Sequence, residues 1–300
     1  FSAILHVIAI AQLFYALNFD WNLNIPDSPK VPKMLRQGYG GRSRFLTYWC
    51  LEKVKDANNR GLYSTLVTLF HLIAAIQFCF AMYYDYEHVN VPSSALKIKK
   101  TQFGGKLKFL TFINCILQAV YFLIAFVNDI IGTNEVAPAK TPAIRRIKDY
   151  MFAAFAFPVA LNVGITFWSL FSIDRELVFP KALDAFFPNW LNHIMHTNIM
   201  IFIVMELFTS FRNYPSRKCG LIGLSTFMVS YLGWIHVIKF KADIWVYPVL
   251  DVLNLPQRIV FFLLCLVFPV GLYILGEFSN EKVWVKEIKH TMKVKGAKAN

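Results

Sequence analysis

The sequence predicts an all-α fold, a polytopic transmembrane helix bundle with a six-span core plus one extra N-terminal span from a partial repeat. Three observations predict it. Of the 300 residues, 56% are hydrophobic, where a soluble domain carries roughly 45–50%, and mean hydropathy is +0.46. Charged residues make up only 16% and gather between the apolar runs. The runs are each about 20 residues long, the length a helix needs to cross the hydrocarbon core. The alternating segments of a membrane barrel are absent.

The first run, Phe1–Leu23, begins without Met, as a fragment would. It lacks the basic n-region and small-residue cleavage site of a signal peptide. Leu62–Tyr86 and Lys108–Ile131 follow, the latter with Thr111, Asn114 and Gln118 on one helical face. Tyr150–Ile173 carries Asn162, Thr166 and Ser169 in a second polar stripe, and Pro158 is expected to start or kink it. Asp174-Arg175-Glu176 ends that span as an interfacial charge cluster. Phe186–Phe208 opens on Trp190-Leu191-Asn192-His193-Ile194-Met195-His196-Thr197. Cys219–Phe240 is next. Trp245-Val246-Tyr247-Pro248 then reads as an interfacial aromatic belt. Arg258–Phe278, with Pro269 inside, is the last run, and the basic stretch Lys286 to Lys298 reads as a disordered cytoplasmic tail near anionic lipid.

A partial repeat divides the chain. His6 to Asp20 runs parallel to His71 to Asp85, and Tyr39-Gly40-Gly41 to Thr47 parallels Phe103-Gly104-Gly105 to Thr111. Past Thr111 the chain continues as an apolar run. Past Thr47 it becomes Tyr48-Trp49-Cys50-Leu51-Glu52-Lys53, which cannot span, so Thr47 is not expected to be catalytic. Residues 1–61 therefore read as one span plus a basic loop, 62–284 as the six-span core with the site, and 285–300 as the tail. The repeat is either two alternative first exons carried in tandem or part of a genuine seven-span protein.

Basic residues settle the expected orientation. Segments 24–61, 132–149, 209–218 and 279–300 together hold 21 Lys and Arg, against 10 in 87–108, 174–186 and 239–258. The richer side is expected to be cytoplasmic. The net charge of +13 is explained by these flanks, and no nucleic-acid reader motif accompanies it. The five cysteines are odd in number and unpaired in spacing, and read as small buried hydrophobes.

Imidazoles at membrane depth cost free energy unless partnered and mark candidate sites. His193 and His196, three apart, project within about 60° of one another on a helix. With the deduced topology, Thr111 and His196 fall in the same half of the bilayer. A threonine hydroxyl needs an adjacent base to act as a nucleophile, and His is the usual one. Asn192, Asn114 or a backbone N–H near Thr111 are candidate oxyanion donors, and Asp184, Asp174 and Glu206 are candidates to orient the imidazole. The rival readings are polar stripes that only pack helices, worth about 0.6–2 kcal/mol per bond, and metal or haem ligation by His71, His193, His196 or His236, for which no H-E-x-x-H or histidine cluster exists. His71 and His236 read as structural histidines bonded to carbonyls.

Phe103-Gly104-Gly105, Lys108-Phe109-Leu110-Thr111-Phe112-Ile113, Phe157-Pro158, Phe167-Trp168, Asp174-Arg175-Glu176, Trp190-Leu191-Asn192-His193 with Met195-His196-Thr197, Tyr214-Pro215-Ser216-Arg217 and Trp245-Val246-Tyr247-Pro248 occur in one order over roughly Leu62 to Trp284. In these residues the chain resembles the family of androgen-induced protein 1 and androgen-dependent TFPI-regulating protein, FAR-17a-like membrane threonine hydrolases. The resemblance implies a multi-pass hydrolase of fatty acid esters of hydroxy fatty acids, in the endoplasmic reticulum or plasma membrane, drawing its lipid ester from the bilayer and using neither cofactor nor metal. It implies Thr111 as the catalytic threonine and His196 as the catalytic histidine, with Asn192, His193, Asn114 and Asp184 as candidate support. A non-enzymatic membrane regulator or scaffold is the alternative.

Overall fold

A computed structural model describes residues 60–91 and 103–299. The chain divides into two units, Phe1–Val67 and Thr68–Asn300; of the first, only residues 60–67 are described, as the opening of a helix. The run Phe1–Leu23, the first copy of the repeat and Thr47 lie outside the described residues.

The described residues are helical and contain no strand. Helix α1 is Arg60–His88 and α2 is Leu110–Ile131. Helix α3 is Ala143–Ile173, interrupted by a wide turn at Phe152–Ala156. Helix α4 is residues 189–206, with a second wide turn at Ile194–Asn198. Helices α5 (Arg217–Ala242), α6 (Leu255–Val283) and α7 (Val285–Ala299) complete the chain. Five of these, α1, α2, α3, α5 and α6, are long and apolar enough to cross a membrane. Helix α4 falls short because Asn189, Asn192, His193, His196 and Asn198 lower its hydropathy.

Helix α3 is the centre of the bundle. Its apolar stretch is 72% buried, against 22–44% for the other four, and it packs against α2, α4, α5 and α6. Outward faces carry Leu69, Ile73, Ile76 and Phe80 on α1 and Ile259, Leu263, Leu264 and Val267 on α6, all exposed. Asn114, Gln118, Asn162, His71 and Glu206 are buried instead. Apolar faces outside and polar groups inside are what lipid demands, because no water remains in the bilayer core to satisfy a polar side chain.

Helix α3 begins at Ala143, seven residues before the expected Tyr150. The extra turns hold Arg145, Lys148 and Asp149, charges that an apolar window rejects. They are buried because each is paired: Arg145 Nε donates to Asp149 at 2.8 Å, and Lys148 Nζ donates to Asn134 Oδ1 at 2.6 Å and Ser210 Oγ at 3.1 Å. The wide turn at Phe152–Ala156 precedes Pro158, which has no N–H to close a regular turn. Gln118 Nε2 donates to the Ala156 carbonyl there at 3.0 Å.

The same end of the bundle holds a buried ionic cluster. His71 Nδ1 lies 2.5 Å from Asp129 Oδ2 and its Nε2 2.7 Å from Glu206 Oε2. Carboxylates accept, so the ring donates from both nitrogens. Tyr121 donates to Glu206 Oε1 at 2.6 Å, and Arg212 is ion-paired to the same oxygen. His71 is therefore held by carboxylates, not by a carbonyl. His236 Nδ1 does meet a carbonyl, that of Leu232, at 2.8 Å.

The basic tail is helical, which corrects the expectation of disorder. Trp284 is buried and donates to the Leu207 carbonyl at 3.1 Å. That anchor starts α7, where Val285, Ile288 and Met292 share one face beside Lys286, Lys289 and Lys293.

Candidate active site

Thr111 is the second residue of α2. The helix starts there because Gly104 and Gly105 take left-handed backbone angles (φ +82° and +51°), turning the chain through Gly105–Lys108 into extended Phe109. The first free N–H of α2, that of Leu110, is 2.9 Å from both the Tyr231 and Tyr247 hydroxyls. Tyr231 donates to the Lys108 carbonyl at 3.0 Å, and the two phenols are 2.9 Å apart. Trp234 adds a bond to the Leu107 carbonyl at 3.1 Å. Helix α5 and the segment after it thus fix where α2 begins. Tyr247 was expected in an interfacial belt; its hydroxyl is instead inside the bundle, where burial pushes the phenol up to about 12.

His196 lies in the wide turn of α4 and is 5% exposed. Such turns often mark functional positions. Its Nε2 is 3.2 Å from Thr111 Oγ1, and its Nδ1 is 3.0 Å from the Asn192 carbonyl oxygen. That oxygen can only accept, so Nδ1 carries the proton and Nε2 presents its lone pair to Thr111. The Phe167 ring stacks on the imidazole at 3.5 Å and 16°.

Gly164 lets α3 and α4 approach closely enough for this. A Cβ at Gly164 would lie 2.7 Å from the His196 carbonyl oxygen and 2.4 Å from Met200 Sδ. Gly164→Ala is expected to push α4 away, costing about 1–3 kcal/mol of stability. Thermal unfolding in detergent checks the cost, and slower modification of Thr111 by a hydroxyl-directed reagent checks the displacement.

The other expected residues are placed as follows. Asn192 reaches the pair through its backbone; its side chain lines a second cavity of about 270 Å³ with Arg175, Asp184 and Asn189. Asp184 is 49% exposed at its side chain and pairs with Arg175 at 2.6 Å, so it does not orient His196. His193 is exposed, stacks on Trp168 and lies 3.2 Å from Thr197 Oγ1. Asn114 accepts from Gln118 at 3.0 Å, a bond within α2. Asp174 caps Glu176, and Glu206 belongs to the ionic cluster. The orienting role sought among carboxylates falls to a main-chain carbonyl. His193→Ala and Asp184→Asn are expected to shift stability by no more than about 0.5 kcal/mol and to leave Thr111 equally reactive, as a labelling time course would read.

A cavity of about 100 Å³ is lined in part by Thr111. Thr111, Asn162, Thr166, Tyr231 and Tyr247 are among its polar lining; Phe167, Met228, Phe262 and Leu266 are among its apolar walls. Of the second polar stripe, Asn162 and Thr166 reach this cavity while Ser169 is exposed. Tyr231, Tyr247 and Phe167 are the residues that sequence reasoning did not assign to the site. Phe167 and Tyr247 were visible only as part of Phe167-Trp168 and Trp245-Val246-Tyr247-Pro248, and Tyr231 carried no signal of its own.

The FAR-17a/AIG1-like protein family matches residues 66–281. The androgen-induced gene 1 protein of Homo sapiens is 37% identical over 67% of this chain and 84% of its own length. The androgen-dependent TFPI-regulating protein of Mus musculus is 34% identical over 76% of this chain and 98% of its own length. A membrane protein of Schizosaccharomyces pombe is 20% identical over 58% of this chain and 75% of its own length. No solved structure matches. With apolar outer faces, buried polar groups and matches of this extent, the chain is a multi-pass membrane protein that belongs to the FAR-17a/AIG1-like family.

Proposed function

We propose that this protein is a membrane-embedded carboxylic ester hydrolase with Thr111 as nucleophile and His196 as general base. The observation that carries it is the 3.2 Å contact between Thr111 Oγ1 and the unprotonated His196 Nε2, within the range at which a base takes a proton. Thr111 Oγ1 attacks the ester carbonyl carbon while its proton passes to Nε2, and the carbonyl π pair moves onto oxygen. Collapse breaks the ester C–O bond, and the alcohol leaves with the proton from His196. Water then attacks the acyl-threonine with His196 again as base; the second collapse releases the acid and returns the proton to Thr111.

The N-terminus of α2 at Thr111 favours the developing negative charge. The apolar walls of the adjoining cavity suit an acyl chain, which supports a lipid ester taken from the bilayer. The motif resemblance narrows the substrate class to fatty acid esters of hydroxy fatty acids.

A fluorophosphonate probe is expected to label the wild-type protein on Thr111 and to leave Thr111→Ala unlabelled. Equal labelling of both overturns the assignment. One relative's name supports a second reading, since it is called TFPI-regulating. A purely regulatory protein would keep its effect on its target in Thr111→Ala.

A further inference from the structure

We propose that the Tyr247 hydroxyl is the oxyanion donor of this site; the inference rests on Thr111 being the nucleophile. The count of donors and acceptors around the two phenols leads to it. The Lys108 carbonyl only accepts, so Tyr231 spends its one proton there. The Leu110 N–H, shared between both hydroxyl oxygens, only donates. The remaining contact, the 2.9 Å separation of the two hydroxyls, therefore uses the Tyr247 proton, donated to Tyr231. Tyr231 is fully committed. Tyr247 is not: its proton rests on a second phenol, a weak acceptor beside an oxyanion, and can turn to a stronger one with no main-chain group left unpaired.

Position agrees with this count. Tyr247 is fixed to the residue immediately before Thr111 and shares the Thr111 cavity wall. The segment Asp243 to Asn254 holds it rigidly: Pro248 opens the helical turn Val249–Val252, and Val246, Val249 and Leu250 are buried on either side. Burial keeps the phenol protonated at any working pH, as a hydrogen-bond donor requires. The Thr111 main-chain N–H, at the second position of α2, is free of an intrahelical acceptor by construction and supplies the companion donor, as the nucleophile's own amide does in serine hydrolases. When Thr111 Oγ1 adds to the carbonyl carbon, the π pair placed on oxygen meets these two donors. The same oxygen is met again when water attacks the acyl-threonine. No proton leaves Tyr247 in either step.

Asn162 is the competing donor. It is 4% exposed, lines the same cavity, and carries an Nδ2 that can donate. It stands on α3 with no tie to the start of α2, whereas Tyr247 is bonded to it.

The test uses the full-length chain in detergent micelles with a chromogenic long-chain ester. Tyr247→Phe is expected to lower kcat about 10²–10³-fold, the usual effect of losing one oxyanion donor, with KM within about threefold since ground-state binding is untouched. A trifluoromethyl ketone, which forms a tetrahedral adduct on the nucleophile, should lose affinity by a similar factor. The ether analogue of the substrate, which cannot form one, should bind equally to both proteins. Tyr231 still accepts from Leu110 in this variant, so the start of α2 survives, and an unchanged unfolding temperature verifies it.

Full activity of Tyr247→Phe with an inactive Thr111→Ala overturns the inference and leaves the nucleophile standing. An active Thr111→Ala overturns both. Equal losses for the ketone and the ether analogue overturn the oxyanion role in favour of packing. A kcat loss in Asn162→Leu with none in Tyr247→Phe transfers the role to Asn162 and overturns it for Tyr247.

Discussion

Thr111→Ala is expected to reduce ester hydrolysis by about 10³-fold or more, because it removes the oxygen proposed to form the acyl intermediate. His196→Ala should fall by a similar amount, since an unassisted threonine hydroxyl is a poor nucleophile at neutral pH. The double variant should be no slower than either single one; residues that act as one unit are not additive. Both variants should fold. Thr111 is only half-buried, and losing its hydroxyl leaves His196 still bonded to Asn192. Hydrolysis of a long-chain ester by purified protein, with unfolding temperature as the control, decides the matter. A Thr111→Ala protein that hydrolyses at the wild-type rate would overturn Thr111 as the nucleophile.

Glu206→Ala is expected to cost about 3–5 kcal/mol, the typical penalty for breaking a buried ion pair by deleting one partner. Glu206, Arg212 and His71 are each 0% exposed. Glu206 accepts from His71, Tyr121, Thr209 and Arg212. Its loss leaves the Arg212 guanidinium without its paired carboxylate and the doubly protonated His71 with Asp129 alone. In hydrocarbon no water replaces the missing carboxylate. The chemistry should suffer only indirectly. Glu206 closes the far end of α4, and His196 is nearly three turns away on the same helix. Fluorophosphonate labelling of Thr111 is therefore expected to persist in the cold and to vanish on warming at a temperature the wild-type protein withstands. Thermal unfolding monitored by labelling distinguishes this from a direct catalytic defect, which would be present at every temperature.

Element placement was legible where apolar length alone decides it. The runs around Leu62–Tyr86, Lys108–Ile131, Cys219–Phe240 and Arg258–Phe278 all lie within observed helices or overlap them closely. Ends were missed where charges continue a helix under cover of partners, as at Arg145 to Asp149, and where an anchor's partner, as Leu207 for Trp284, lies far away in sequence. The two wide turns were not legible, because a bulge in the backbone ladder leaves no mark in hydropathy.

The amino-acid sequence by itself determined that the chain lives in a membrane, where its long apolar runs lie, and that imidazole, hydroxyl and amide groups sit within those runs. It could do so because the cost of polar groups in hydrocarbon depends on residue type and run length, both local quantities. Only the tertiary structure decided which groups meet. It joined Thr111 to His196 and gave the orienting role to the Asn192 carbonyl in place of Asp184. It also drew Tyr247 from the expected interface to the start of α2 and sent Glu206 to His71 at the opposite end of the bundle. Hydrogen bonds depend on distances of a few tenths of an ångström between helices far apart in sequence. Those distances are set by packing, here by the absence of a side chain at Gly164 and by the anchoring of α2 through two tyrosines, and no pattern along a single helix encodes them.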